Sequence, residues 1–327
     1  MLELSDVEAA ARVLRGRADA TPLVPSLYAG SELWLKLEIC QPIGAFKLRG
    51  ALNAVAQARA DTVTCCSTGN HGRGVAWAAR AAGKRAVICM SELVPQAKVD
   101  GIRALGAEVR IVGRSQDDAQ AEVDRLVRDA GLEEIPPFDH PLVIAGQATI
   151  GAEIMVQMPE LETILVPLSG GGLAAGVAFA AKQAKPSVKV IGISMDRGAA
   201  MYDSLRAGHP VAVEEVPSLA DSLGGGIGMA NRISFAMCRD LLDDTLLVTE
   251  SEIYCAMQEL FFTDRLVTEG GSVVGLAALM SGKLRCTGPV ATILTGRNVD
   301  MGQYARIIAG QDVQLGDLTV KGVPHGA

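Results

Sequence analysis

One lysine stands at the start of a predicted helix, where its amine could do chemistry. It is Lys47, which follows Phe46 in the stretch GAFKLRGA over residues 44–51. A helix that could bury this face with an apolar residue keeps an amine there instead. An amine can form a Schiff base with a carbonyl compound and can move protons, whereas the plain alternative is a lysine that extends to solvent.

A glycine-rich turn, SGGGLAAG over residues 169–176, lies between the apolar run TILVPL and a predicted helix. Backbone N–H groups in such a turn, aided by the helix dipole, can bind a phosphate dianion. The spacing matches neither the GxGxxG of dinucleotide sites nor the GxxxxGK[ST] of P-loops. Close packing of the helix on the strand would also require glycines, so this turn alone leaves both interpretations open.

Two further turns follow predicted strands. CSTGNHG (66–72) offers two hydroxyls, an amide side chain and free backbone N–H groups, which would bind a carboxylate or simply cap the next helix. In ILTGRN (293–298), the hydroxyl of Thr295 ends a buried strand, where ligands of parallel sheets bind. A pyridoxal phosphate enzyme requires an amine, a turn that binds the cofactor phosphate and a turn that binds the substrate carboxylate, and the sequence offers a candidate for each.

The elements that must position these groups alternate along the chain. Short apolar runs rich in β-branched residues are followed by helical patterns, which predicts an α/β protein with parallel sheets in two lobes. The predicted strands are 63–67, 85–90, 108–113, 163–168, 188–194, 244–250 and 289–296. The irregular stretch EEIPPFDHP (133–141) is interpreted as one crossing between the lobes. Thr249 and Glu252 form a predicted capping box.

Composition excludes several classes of protein. The 327 residues are 49% apolar and 20% charged, which is incompatible with disorder. With 30 basic and 37 acidic residues the formal charge is −7, and basic clusters are lacking, so neither nucleic acid nor a membrane surface is an expected partner. An acidic N-terminus and the lack of a membrane-length apolar run indicate a cytoplasmic protein. Seven cysteines without a CxxC pair argue against a disulfide framework or a zinc site.

Five motifs occur in a fixed order along nearly the whole chain. They are TPL (21–23), KLE followed by QPIGAFKLRGA (36–51), STGNHG (67–72), SGGGL (169–173) and LTGRN (294–298). Together they resemble the fold type II pyridoxal phosphate enzymes of the threonine/serine dehydratase and serine racemase group. The resemblance implies a three-layer αβα sandwich like the tryptophan synthase β chain. It also implies a large cofactor-binding domain (1–51 and 145–327) and a small mobile domain (52–144).

The resemblance assigns roles to the matching residues. Lys47 would form the Schiff base with pyridoxal 5′-phosphate and then take the substrate Cα proton. Phe46 would pack on the pyridine ring, Asn70 would donate to the cofactor 3′-oxygen and Thr295 would face the pyridine nitrogen. The phosphate would be bound by Gly170, Gly171, Gly172 and Leu173. The substrate carboxylate would be bound by Ser67, Thr68, Asn70 and His71, the last of them through its ring or only its backbone amide.

The hydroxyl at Thr295 bears on the reaction. A neutral group cannot hold the ring nitrogen protonated as a carboxylate would, so loss of a β leaving group is favoured over a long-lived carbanion. The implied reaction is deaminating dehydration of a β-hydroxy amino acid, such as threonine or serine, to a 2-oxo acid and ammonia. Because of Thr68, serine or aspartate racemisation remains an alternative activity. Racemases of this group carry a hydroxyl at the corresponding position, and that hydroxyl can protonate the carbanion. β-Replacement, as in cysteine synthase, and a colourless binding protein are further alternatives.

Several residues depart from the family pattern. Ala45 stands where a serine is usual. Residues of metal-dependent relatives that bind the cation are replaced by Ser194, Gly198 and Ala200, so no divalent cation site is expected. The chain is too short for the regulatory domain of biosynthetic threonine dehydratases. Relatives are commonly dimers, so a homodimer that acts on a small amino acid is expected.

Arg297 is a further departure, since TGRN replaces the family's SGGN. The arginine could extend to solvent, pair with an acid such as Glu269, or bind a second polar end of the substrate, as in 3-hydroxyaspartate. Glu269 is likewise a possible contact of the substrate side chain. Glu269 itself begins EGGS, where many relatives have EP(T/A)GA. These substitutions resemble the dehydratase-like proteins of hydroxyectoine utilisation. That branch, with a hydroxyectoine-derived amino acid as substrate, is therefore the closest expected one.

Overall fold

Two separate sheets organise the chain in a computed structural model that describes residues 2–67, 69–92, 94 and 96–326. The strands are β1 Leu23–Pro25, β2 Leu33–Lys36, β3 Thr62–Cys66, β4 Arg85–Met90, β5 Glu108–Ile111, β6 Glu133–Glu134, β7 Thr163–Pro167, β8 Lys189–Met195, β9 Asp244–Val248, β10 Val290–Ile293, β11 Val313–Leu315 and β12 Leu318–Val320. The larger sheet has the order β1-β2-β10-β7-β8-β9 and the smaller β5-β4-β3-β6. All neighbours in them are parallel except β1 and β2, which confirms the predicted α/β class.

Helices connect these strands and cover the sheets. They are α1 Leu4–Leu14, α2 Lys47–Gln57, α3 Asn70–Ala81, α4 Gln96–Arg103, α5 Gln116–Ala130, α6 Pro141–Gln157, α7 Gly172–Ala184, α8 Ala200–Ala207, α9 Ile233–Leu241, α10 Glu250–Glu259, α11 Val274–Met280 and α12 Met301–Ile308. A π-helical turn, Leu260–Asp264, continues α10. Within residues 2–67, 69–92 and 96–326, no helix has the length and apolar content that crossing a membrane would take.

Alternating side chains of the central strands pack in opposite directions, which makes each sheet the middle of three layers. In β7, Leu165 contacts a core shared with α10, α11 and α12, whereas Ile164 and Val166 pack against α6, α7 and α9. In β3, Val63 and Cys65 face α2 and α3. Cys66 instead packs beneath α5. Buried apolar side chains on both faces of these sheets explain why the strands read as continuous apolar runs.

The predicted strands are observed within two residues at each end, except that β10 ends three residues before the predicted 296, and the predicted capping box begins α10. Thr249 Oγ1 accepts from the N–H of Glu252, and the Glu252 carboxylate accepts from the N–H of Thr249. The stretch 133–141 was expected to be irregular throughout. Its first two residues form β6 against β3, a strand too short to give a periodic signal. The strands β1 and β2, at one side of the larger sheet, and the hairpin β11–β12 were also missed, because three or four residues carry little pattern.

The α2 helix, which begins at Lys47, crosses α6 at very short range. A Cβ atom on Gly146 would lie 2.6 Å from the Gly50 Cα, so only glycine fits at this crossing. The expected division into domains 1–51 with 145–327 and 52–144 stays a prediction, and its ends fall inside α2 and α6. The four strands of the smaller sheet lie within the second range.

Candidate active site

Lys47 is held at the meeting point of α2 and the end of β10. The N–H of Phe46 donates to the Thr295 carbonyl at 2.9 Å, and the N–H of Arg297 donates to the Gly44 carbonyl at 2.9 Å. These two bonds align the chain before α2 antiparallel to the chain after β10. The lysine that opens the helix is therefore fixed beside the carboxyl end of a central strand, where ligands of parallel sheets bind.

The Lys47 amine is partly buried and lacks a carboxylate partner among the described residues. Nζ donates to the Pro137 carbonyl at 2.8 Å and lies 5.4 Å from the centre of the Phe46 ring. Removal from water disfavours the ammonium form and lowers the pKa of Lys47 to about 8, although the Cys65 thiol opposes this shift. With this pKa, a larger fraction of Lys47 than of an ordinary lysine is the free amine near neutral pH, and the free amine is the form that acts as nucleophile and base.

The turn after β3 brings Asn70 to the same place. Asn70 is the first residue of α3, and its Nδ2 donates to both oxygens of Glu269, at 2.9 and 3.0 Å. Its Oδ1 accepts from Nδ2 of Asn298 at 2.6 Å. Ser67 accepts the N–H of Gly69 at 3.3 Å. Thr68, expected to bind the carboxylate and to act as an acid, lies outside the described residues.

The His71 ring is turned away from a role as an anion donor. Its Nε2 is 2.7 Å from the Ile135 carbonyl, which can only accept, so Nε2 carries the proton and the buried Nδ1 is an acceptor without a partner in the described chain. Burial and the nearby Lys47 amine lower the pKa of His71 to about 3, so the ring is neutral. In this tautomer the His71 ring has no N–H left to donate to a substrate carboxylate. Any contribution of His71 to a carboxylate site therefore comes from its backbone N–H.

The glycine-rich turn between β7 and α7 is packed against Phe138. A Cβ atom on Gly170 would lie within 2.2 Å of the Phe138 ring, and one on Gly172 would lie 2.8 Å from the Phe138 carbonyl. Gly171 has φ +86°, a left-handed conformation that favours glycine. Leu173 follows in the first turn of α7 and is buried. Packing therefore requires these glycines, and the N–H groups at the start of α7 have no partner within the helix itself.

At the end of β10, the Thr295 hydroxyl faces another hydroxyl rather than an acid. Its Oγ1 is 3.0 Å from Ser272 Oγ, which also donates to the Gly296 carbonyl at 2.9 Å. The carbonyl of Thr295 accepts from Phe46, so the residue joins the strand end to the start of α2. A neutral hydroxyl pair is the polar group that this strand end offers.

Glu269 and Arg297 do not form the ion pair that was one expectation for them. Glu269 is 4% exposed and accepts from Asn70 and from the N–H of Asn298, at 2.8 Å. Burial raises its pKa, opposed in part by these hydrogen bonds. Arg297 is exposed, and its side chain lies over Gly44. Its guanidinium contacts no carboxylate in the described part of the chain.

Sequence reasoning missed the segment 135–139, which contacts most of the site. Ile135 bonds His71, Pro137 bonds Lys47 and Phe138 packs on the glycine-rich turn. The Asp139 carboxylate accepts from three successive backbone N–H groups at the start of α9, at 2.7 to 3.0 Å. A side-chain signal existed only for Asp139, whose position before a proline-initiated helix resembles an ordinary cap.

The groups around Lys47 fit pyridoxal phosphate. They offer an amine with a lowered pKa, an amide donor, a neutral hydroxyl pair, and a helix start at a glycine turn that suits a phosphate. Among the described residues, no group of three or more histidine, cysteine, aspartate or glutamate side chains is placed to bind a metal ion.

Comparison with known proteins agrees with this fit. Residues 15–296 match the family model described as pyridoxal-phosphate dependent enzyme. A Sinorhizobium fredii protein assigned as a threonine dehydratase is 54% identical over 309 residues, covering 92% of this chain and 93% of that protein. An L-threonine ammonia-lyase of Thermotoga maritima is 38% identical, covering 92% of this chain and 77% of that protein. The structure of maize serine racemase matches with a TM-score of 0.87 at 29% identity, covering 94% of this chain and 97% of that one.

These matches confirm the predicted cofactor and the predicted class, a pyridoxal phosphate-dependent ammonia-lyase. The matches include both threonine dehydratases, by sequence, and a serine racemase, by fold. The chain belongs to the family of pyridoxal-phosphate dependent enzymes of fold type II, and its relatives include threonine dehydratases and serine racemases.

Proposed function

We propose that this protein dehydrates and deaminates a β-hydroxy amino acid, with L-threonine and L-serine as the preferred substrates. The observation that carries the proposal is the Lys47 amine, partly buried, with a pKa lowered to about 8 and bound to a carbonyl rather than to an acid. The likeness to a threonine dehydratase and an L-threonine ammonia-lyase supports this substrate class.

Pyridoxal phosphate, when bound, supplies an aldehyde that condenses with amines and a ring that withdraws electrons from the substrate Cα. The chain's own residues would hold and orient it. Backbone N–H groups from Gly170 to Leu173 would bind its phosphate, and Asn70 Nδ2 would donate to its 3′-oxygen. Phe46 would cover one face of the ring, and Thr295 would offer a neutral hydroxyl to the ring nitrogen.

Lys47 moves the proton in this proposal. As a free amine, Nζ accepts the proton from the substrate Cα. The same proton then passes to the β-hydroxyl as the Cβ–O bond breaks, so the hydroxyl leaves as water. The unsaturated amino acid that results takes up water and yields a 2-oxo acid and ammonia. Ser67 and the backbone N–H groups of its turn would hold the substrate carboxylate. Because Thr295 pairs with the Ser272 hydroxyl, no acid in contact with it would keep the ring nitrogen protonated, which favours early loss of the β substituent.

The test is substrate choice. The purified holoenzyme is given L-threonine, L-serine, 3-hydroxyaspartate and a hydroxyectoine-derived diamino acid in parallel, and release of 2-oxo acid and ammonia is measured. Turnover of threonine or serine that is lost in Lys47→Ala supports the proposal. Lys47→Ala that retains turnover would refute it.

The variant Arg297→Ala tests whether the arginine binds the side chain of a longer substrate, such as 3-hydroxyaspartate or the diamino acid. The arginine is exposed and lies over Gly44, so Arg297→Ala is expected to change kcat/KM for threonine by less than about threefold, as for a surface charge. A preference for 3-hydroxyaspartate or the diamino acid that disappears in Arg297→Ala would instead support the hydroxyectoine branch and a role for Arg297 in substrate binding.

A racemase is a second candidate, favoured by the likeness to maize serine racemase. Inversion needs an acid on the face of the substrate opposite Lys47, and Thr68 is the residue proposed for it. Chiral analysis of residual serine separates the activities. D-serine that forms from L-serine and is lost in Thr68→Ala, while pyruvate still forms, would add racemisation to dehydration.

A further inference from the structure

Three side chains at the edge of the site form one hydrogen-bonded chain that begins at a backbone carbonyl. Asn298 Nδ2 donates to the Ile43 carbonyl at 2.9 Å and to Asn70 Oδ1 at 2.6 Å. Asn70 Nδ2 then donates to both oxygens of Glu269. The N–H of Asn298 closes the ring by donating to Glu269 at 2.8 Å. We call these three residues the amide lock.

The amide lock determines which end of the Asn70 side chain is nitrogen. A backbone carbonyl only accepts hydrogen bonds, so the Asn298 atom that contacts Ile43 must be the nitrogen. That nitrogen donates to Asn70, which therefore presents its oxygen to Asn298 and its nitrogen to Glu269. An amide nitrogen has two hydrogens, and Nδ2 lies almost equally far from the two oxygens of Glu269, at 2.9 and 3.0 Å. One hydrogen shared between those oxygens satisfies both contacts, so the other remains for a further acceptor.

Glu269 has no other evident use that would explain its burial. It is 4% exposed, and no cation in the described part of the chain pairs with it, so its carboxylate depends on neutral donors. Such a group is expensive to bury, and the contact it makes in the site is to accept hydrogen bonds from Asn70 and Asn298. If Asn70 were rotated by half a turn, its oxygen would face Glu269, and two acceptors would repel one another.

We propose that Glu269 and Asn298 are positioning residues, which fix the rotation of the Asn70 amide so that its nitrogen serves the 3′-oxygen of pyridoxal phosphate. The inference rests on the role given to Asn70 in the proposed function. The cofactor oxygen carries negative charge and accepts hydrogen bonds, so a rotated amide would replace a donor with a repelling oxygen. Glu269 acts through Asn70 and needs no contact with the cofactor.

The experiment is a double-mutant cycle on the holoenzyme with Asn70→Ala, Glu269→Met and the double variant. The readouts are the dissociation constant of pyridoxal phosphate and the pH midpoint of the visible absorption band of the bound cofactor. Loss of one hydrogen bond predicts that each single variant binds the cofactor roughly five- to tenfold more weakly. The pH midpoint of the absorption band is expected to rise in each single variant. The donor from Asn70 stabilises the negative charge on the cofactor oxygen, and each variant weakens or removes that donor.

The double variant gives the decisive comparison. Once the Asn70 amide is removed, there is nothing left for Glu269 to orient, so the double variant should bind the cofactor as Asn70→Ala does. Glu269→Gln keeps one acceptor oxygen and should weaken binding less than Glu269→Met. Additive losses in the cycle, or Glu269→Met with both readouts at wild-type values, would overturn the inference.

Glu250→Met is the matched control. Glu250 is also a glutamate that is 4% exposed, and it accepts the N–H of Leu219 at 2.8 Å and has no hydrogen bond with Asn70 in the described part of the chain. Its replacement should lower stability without moving the absorption midpoint, and an equal shift in both variants would overturn the inference. A wild-type dissociation constant in Asn70→Ala would instead refute the role of Asn70 itself, while leaving dehydration by Lys47 to its own test.

Discussion

Replacing Arg49 by methionine tests what holds the helix that carries Lys47. Arg49 lies half a turn further along α2 and is 1% exposed. Its guanidinium donates twice to Glu38, at 2.9 and 2.8 Å, and twice to Glu153, at 2.5 and 2.8 Å. Lys36 donates to the same Glu153 at 2.6 Å. The network thus joins α2 to α6 and to the end of β2.

The expected cost follows from what the substitution leaves behind. Methionine fills a similar volume but donates nothing, so Glu38 stays fully buried with only neutral donors, Thr21 and Gln41. Glu153 keeps Lys36 and is partly exposed, so it contributes less. Breaking a buried pair by removing one partner costs about 3–5 kcal/mol, a large share of the roughly 5–15 kcal/mol that stabilises an ordinary domain.

The assay is urea unfolding of the holoenzyme, with Arg128→Met as the control. Arg128 pairs with Asp129 at 2.8 Å, but both side chains are exposed, so that substitution should change the free energy of unfolding by less than about 1 kcal/mol. A fall in kcat for Arg49→Met is also expected, because α2 positions Lys47. If both variants lose equal stability, the buried network does not hold α2, and the reasoning fails.

Three further predictions concern single groups. The rate at which the apoprotein takes up pyridoxal phosphate should rise with pH and level off above about 8, because Lys47 reacts only as the free amine. A rate that continues to rise up to pH 10 would contradict the lowered pKa of Lys47. Gly170→Ala places a methyl group against the Phe138 ring, and an overpacking cost of about 1–3 kcal/mol would weaken cofactor binding roughly tenfold or more, measured by titration. Thr249→Ala removes the cap of α10 and should lower the free energy of unfolding by about 1 kcal/mol without changing KM, whereas an unchanged urea midpoint would show that the cap is dispensable.

The sequence predicted the parts of the fold that carry a periodic signal. Strand β7, and β8 after its exposed first residue Lys189, are runs of buried apolar or small residues, and glycine turns mark where helices begin or end. The contact between Asn70 and Glu269 could not be predicted, since it joins residues 199 positions apart. The pairing of Arg297 with Glu269, one of the three alternatives left open for the arginine, assumed that oppositely charged side chains would lie together. In the fold, Glu269 is buried behind Asn70 and Asn298, and the arginine stays in solvent.

The segment 135–139 shows why the remaining part of the site lay beyond sequence reasoning. Its contacts with Lys47 and His71 are made by the carbonyls of Pro137 and Ile135, and every residue has a carbonyl. Residue types therefore carry no information about these two bonds, and only the path of the chain creates them. Yet they set the surroundings of the Lys47 amine and the tautomer of His71, so the chemistry of the motif residues depends on a backbone that no motif records. Substitutions of Ile135 and Pro137 should therefore act through main-chain position, and a conservative side-chain change there that preserves the path should preserve these two bonds.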